Sequence, residues 1–149
     1  MQYQAYPFVL NEAETHYKFE SIGKRGVIEK AISFSKLSID IYNLALLDFD
    51  PVTQNYIDDS VTDNGDMPEI MATVIAVILN YLNEHPARRI VLTGNSKSRN
   101  RLYQIAIGKV WEVVQEDLQI LGFNGVEWLT FEPNGSFESF LIARKFLIS

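Results

Sequence analysis

Ile41-Tyr42-Asn43-Leu44-Ala45-Leu46-Leu47 is the stretch on which the fold turns. It is apolar on both faces and is followed by turn chemistry at Asp50-Pro51-Val52-Thr53-Gln54-Asn55. A short run of that kind reads as a central strand covered on both sides. Everything else can be placed relative to it.

Upstream, Tyr17 and Phe19 alternate with Lys18 and Glu20, and Gly23-Lys24-Arg25-Gly26 is a turn. Val27 to Phe34 then puts Ile28, Ile32 and Phe34 on one face, so the two runs form a β-hairpin. The first fourteen residues form an arm, and Tyr3, Tyr6 and Phe8 lay it on the body. Downstream, Tyr56 to Val61 returns as a more polar strand. Asp66 and Glu69 make a capping pair around Pro68, which is tolerated in a first helical turn. Ile70, Met71, Val74, Val77, Ile78, Tyr81 and Leu82 form the buried stripe of a helix, widened by Ile75 and Leu79, and Pro86 stops it.

Arg89 to Thr93 is a short buried strand, reached from the acidic strand by a right-handed β-α-β crossover. A second helix starts at Ser96 or Ser98, either of which can cap it. Tyr103, Ile107, Val110, Val114, Leu118 and Leu121 line its buried face, Gly108 marks a bend or a close contact, and Gly122 and Gly125 end it. Val126 to Phe131 and Phe137 to Phe146 close the chain as a hairpin. The order is ββββ-α-β-α-ββ: an α/β (α+β) domain with a mixed, mostly antiparallel sheet.

The chain has 149 residues, the size of one domain, so residues 1–149 are read as a single unit with residues 1–14 as its arm. There is no cysteine, which excludes a disulfide framework and thiol-bound zinc and points to a reducing, cytoplasmic compartment. The N-terminus lacks the basic start and apolar core of a signal peptide, and the longest apolar stretch, Ile70 to Leu79, is too short to span a bilayer. The two histidines, His16 and His85, are far apart, so no histidine-rich metal site is expected. Trp111 and Trp128 read as packing residues.

Net charge is −6, which opposes general binding to a polyanion. The charge is segregated. Leu37 to Ala87 holds Asp40, Asp48, Asp50, Asp58, Asp59, Asp63, Asp66, Glu69 and Glu84 but no Lys or Arg. His85 to Trp111 holds Arg88, Arg89, Lys97, Arg99, Arg101 and Lys109 but no acid. Either the two stretches neutralise each other or the surface has two signs.

Two places can carry chemistry. Thr93 to Arg101 leaves a strand and opens a helix, where free N–H groups and the helix dipole favour an anion. Asn95, Ser96, Lys97, Ser98, Arg99 and Arg101 are the expected anion-binding set, for a phosphate, a carboxylate or a nucleic-acid backbone. The plain alternative is a capped helix start whose arginines pair with the acidic stretch. The loop has neither Walker spacing nor the three-glycine dinucleotide pattern. Second, Asp48, Asp50, Asp58, Asp59, Asp63 and Asp66 offer oxygen ligands for Mg²⁺ or Ca²⁺, with Asp48 and Asp50 on one strand face. The plain alternative there is a rim of turn and cap residues.

Tyr17-Lys18-Phe19-Glu20-Ser21, Gly23-Lys24-Arg25-Gly26, Tyr42-Asn43-Leu44-Ala45-Leu46, Asp48-Phe49-Asp50-Pro51-Val52-Thr53, Asp63-Asn64-Gly65-Asp66 and Arg99-Asn100-Arg101-Leu102-Tyr103 resemble an uncharacterised family of short Bacteroidota proteins over nearly the whole length. That resemblance implies a bacterial cytosolic protein and no particular activity. Arg88 to Asn95 and Arg101-Leu102-Tyr103 also resemble a late strand and helix of the GNAT N-acetyltransferases. This second resemblance implies an acetyl-CoA cofactor, Asn95 or Asn100 as a cofactor contact, and Tyr103 as the catalytic acid. The chain departs from that superfamily at Asp63-Asn64-Gly65-Asp66-Met67-Pro68-Glu69, where a glycine-rich pyrophosphate loop is expected.

The leading expectation is a non-enzymatic binding or regulatory protein with an anion-binding corner, of the toxin–antitoxin accessory type, needing no cofactor or metal and taking an anionic ligand, nucleic acid or protein as partner away from membranes. The alternative is a GNAT-like acyltransferase, and the third reading is a metal-dependent nuclease.

Overall fold

The computed structural model describes residues 4–11, 16–58, 64–94 and 96–145. Five strands precede the first helix: β1 (Phe8–Leu10), β2 (His16–Gly23), β3 (Gly26–Ser38), β4 (Ile41–Asp50) and β5 (Asn55–Ile57). Then come α1 (Met67–Glu84), β6 (Arg89–Leu92), α2 (Lys97–Val114), β7 (Leu118–Phe123), β8 (Trp128–Thr130) and β9 (Ser139–Arg144). The sheet runs β1-β2-β3-β4-β6-β9-β7-β8, with β5 paired to β4 beside this path. Among the described strands β4 and β6 make the one parallel pair, Ile41 to Leu44 against Arg89 to Leu92. The mixed, mostly antiparallel α+β sheet is therefore as the residue pattern predicts.

Both helices pack on one face of this sheet. Tyr17, Phe19, Ile32, Leu44, Leu46, Ile90, Leu92, Phe140, Ile142 and Ile120 meet the buried stripes of α1 and α2 in one core. All seven predicted stripe residues of α1 are buried. Leu79 is not part of the buried stripe, at 40% exposed. The other sheet face carries Asn43, Ala45, Leu47, Val91, Leu121 and Leu141, all half-buried. Among the described residues no helix lies on it. The expected two-sided cover of Ile41–Leu47 is thus corrected: the strand is central in the order but covered on one side, and its second apolar row is only half-buried.

The C-terminal third departs most from expectation. The second helix stops at Val114, and Leu118 and Leu121 belong to β7 instead. Leu118 continues the four-residue spacing from Val114, but Leu118, Ile120 and Gly122 also alternate, and pairing with β9 decides for the strand. The closing segments do not form a hairpin with each other. β9 inserts between β6 and β7, and β8 pairs on the far side of β7. α2 runs on through Gly108, which lies beside Pro133 at ordinary contact distance, 3.8 Å from where a Cβ would sit. At the other end, β1 turns part of the arm into an edge strand, and Tyr6 and Phe8 pack on the core. Tyr3 and the stretch from Asp59 to Val61 lie outside the described residues, so β5 is described only to Ile57.

Candidate functional site

The parallel pair fixes where a site can form. β6 ends at Leu92 opposite Leu44 and leads into α2, whereas β4 runs on to Asp50 and reaches α1 only after β5, so it is α2 that begins just beyond the C-terminal end of the parallel pair, the usual ligand position in such arrangements. The edge of β4 away from β3 is divided there. β6 holds it from Ile41 to Leu44 and β5 from Asp48 to Asp50, so Ala45 to Leu47 have no strand partner on that edge among the described residues.

The start of α1 is closed by the protein itself. Asp66 stands at the N-cap position but gives no cap bond, against the expected pairing with Glu69. Its Oδ2 instead accepts from Ser21 Oγ at 2.5 Å and from Tyr6 Oη at 2.6 Å. Asn64 is also buried, accepting from Arg25 N at 2.6 Å and donating to Ser21 Oγ and to the Gly26 carbonyl, each at 3.0 Å. Gly23 is required at this junction, because a Cβ there would lie 1.9 Å from the Asn64 carbonyl oxygen. Burial and the hydrogen bond to Asp66 raise the Tyr6 pKa above its ordinary value. With two acids, a proline and this hairpin packed around it, the start of α1 does not suit a phosphate.

The start of α2 is open. Ser96 is the cap, with its Oγ accepting from Arg99 N at 3.1 Å, so the Ser96 alternative holds and Ser98 is a first-turn residue. Asn100 Oδ1 accepts from Gly94 N at 2.6 Å and draws the loop onto the helix. Gly94 is needed for that approach: a Cβ would meet Arg99 Cβ and Asn100 N at 2.7 Å. Thr93 Oγ1 and Ser139 Oγ are 2.8 Å apart at the end of β6. The positioning roles of Asn100 and Ser139 left no sequence signal beyond the residue types themselves.

Ser96, Lys97, Ser98 and Arg101 are exposed, and Arg99 is half-buried. Asn95 lies outside the described residues. Tyr103 is 3% exposed. Burial raises its pKa, opposed by the charge and hydrogen bond of Arg99.

The acids of the central strand and of its turn are engaged locally. Asp48 is buried with Lys30, which donates to its Oδ1, while its Oδ2 has no partner. Asp50 closes its own turn by accepting from Val52 N at 3.0 Å and Thr53 Oγ1 at 3.1 Å. Arg88 donates to Tyr81 Oη at 2.7 Å and lies 4.2 Å from the Tyr42 ring centroid. No described acid makes an ion pair with Lys97, Arg99 or Arg101. Nor do three acids or histidines converge into a metal-ligand group among the described residues; Asp59 and Asp63 lie outside them. Trp111 packs near Phe131, as expected, whereas Trp128 is 42% exposed beside Phe123. No helix among the described residues is long and apolar enough to cross a membrane.

Comparison with known proteins yields one match, and it agrees with the first resemblance. No curated protein and no solved structure matches the chain, so no match supports the acetyltransferase resemblance. The match spans residues 2–145, nearly every element described above, and on that span the chain belongs to DUF6934, a family of unknown function.

Proposed function

We propose that this chain is a binding protein whose α2 start, Ser96 to Arg101, takes an anionic group. One observation carries the reading: α2 is charged against its own dipole. Lys97, Arg99 and Arg101 sit at its positive end with no acid in the first turn, and Glu112, Glu116 and Asp117 sit at its negative end with no base in the last turn. Each such placement is unfavourable by roughly 0.3–1 kcal/mol at an exposed position. A bound anion reverses the sign of the first half. Local choices that oppose the fold mark candidate functional positions; Lys97 and Arg101 are exposed without an acid partner among the described residues, and Arg99 is half-buried against Tyr103.

The test is a titration with inorganic phosphate followed by amide chemical shifts. Saturable shifts at Lys97 to Arg101, lost in Arg99→Gln and Arg101→Gln, are the expected result. Unchanged amides at saturating phosphate would overturn the reading.

A second reading, an acyltransferase-like enzyme with Tyr103 as acid, is favoured by the Ala45–Leu47 edge, which has no strand partner among the described residues. The packed α1 start does not fit the pyrophosphate of acetyl-CoA, and no step is derived through that group. Acetyl-CoA at a hundred times its dissociation constant would stabilise the protein by about 2.7 kcal/mol. A flat thermal-shift response at millimolar acetyl-CoA would remove this reading.

A further inference from the structure

The basic corner is one end of a longer feature. Lys97, Arg101, Ile105, Lys109 and Val113 follow one another at four-residue steps along α2, and all five are exposed. Side chains at that spacing form a ridge, the unit by which one helix packs into the groove of another. At 1.5 Å per residue the ridge is about 24 Å long. Its aliphatic members are well exposed, Ile105 at 43% and Val113 at 72%. The opposite side of α2 already supplies Tyr103, Ile107 and Val114 to the core, so the ridge is not needed to hold the helix.

We infer that this ridge is the docking surface for an acidic amphipathic helix of a partner protein. The inference rests on the anion-binding reading of the α2 start and extends it to a partner class. Complementarity of charge decides the sign at the N-terminal half of the ridge, where Lys97 and Arg101 have no described acid partner; the exposed acids Glu112, Glu116 and Asp117 lie toward its C-terminal end, and Glu132 flanks the helix at Gln104. The two aliphatics decide the chemistry. A phosphate backbone would engage the cations and leave Ile105 and Val113 in water, whereas a helix with acids and leucines on one face covers both kinds of side chain at the same spacing. The chain's net charge of −6 also opposes a polyanion as a general partner.

The experiment uses the full chain and four probes: a designed acidic amphipathic peptide of about 20 residues, a polyglutamate peptide of equal length, a DNA duplex and inorganic phosphate. The amphipathic peptide is expected to shift the amides from Arg101 to Val113 and to bind better than polyglutamate. Ile105→Asp and Val113→Asp should each weaken it by about tenfold or more, as loss of an interface anchor does. These variants leave phosphate shifts at Lys97 to Arg101 unchanged, so a failed corner and a failed ridge give different patterns. Equal binding of both peptides, insensitivity to the two substitutions, or preference for the duplex overturns the inference. So does a concentration-dependent sedimentation coefficient abolished by Ile105→Asp, which would assign the ridge to a second copy of the chain.

Discussion

The two long helices of the fold treat the groups around their first turns in opposite ways. At α1 the junction is buried, acidic and occupied by Ser21, Tyr6 and Asn64. At α2 the first turn is exposed and basic, with one serine cap and no acid partner among the described residues. The same backbone geometry is therefore spent on the fold in one case and left open in the other. Asp48, Asp50 and Asp66 show how: each is taken up by a buried partner or by its own turn, and none of them pairs with Lys97, Arg99 or Arg101.

Substitutions on the acidic side should reduce stability and those on the basic side should reduce binding. The largest effect is expected at Asp48. Asp48→Ala leaves the Lys30 ammonium buried without its carboxylate, and breaking a buried pair in this way costs about 3–5 kcal/mol. Urea unfolding would measure it, and a loss below 1 kcal/mol would show that the pair is not buried as described. Next is Asp66→Ala, which strips the acceptor from Ser21 and Tyr6 and should lower stability by roughly 1–3 kcal/mol. Ser96→Ala removes the α2 cap, at about 1 kcal/mol, and should disturb phosphate binding less than loss of Arg101.

The smallest change in stability is the most diagnostic. Arg101→Gln changes an exposed residue beyond the first turn of α2, so it should shift stability by no more than a few tenths of a kcal/mol while weakening anion binding. Loss of both stability and binding would make Arg101 structural and collapse the contrast between the two helix starts.

Alkaline pH sharpens the comparison further. Burial raises the Tyr103 pKa, so above about pH 10 the unfolded chain has released a proton that the folded chain retains. The folded state then binds more protons, and stability falls as pH rises. Tyr103→Phe should flatten that fall. Arg99→Gln should steepen it, because the guanidinium holds the Tyr103 pKa down. Urea midpoints measured across this range would show either change.

The stripe of α1, the short β6 and the Ser96 cap were legible because each rests on a local rule: a helical period, an apolar run, a capping side chain. Asp66 was misread because Asp66 and Glu69 satisfy the same local rule, while Ser21 lies forty-five residues away and offers a competing hydrogen bond. Leu118 to Phe123 fits two periods at once, and only the partner strand β9 chooses between them. The candidate corner was visible as a cluster of residue types. That it stays unpaired among the described residues depended on where Asp48 and Asp66 are buried, which no spacing along the chain records.

The position of β9 has a consequence for synthesis. It bridges β6 and β7, yet among the described strands it is the last to be made. Until Ser139 to Arg144 leave the ribosome, the nascent chain carries two incomplete sheets with open hydrogen-bonding edges at β6 and β7. Open edges of that kind recruit other chains. The nascent chain thus keeps these edges open until β9 has been made, and shortening it before Ser139 should leave the sheet broken between β6 and β7, with only the helix layer joining the two parts.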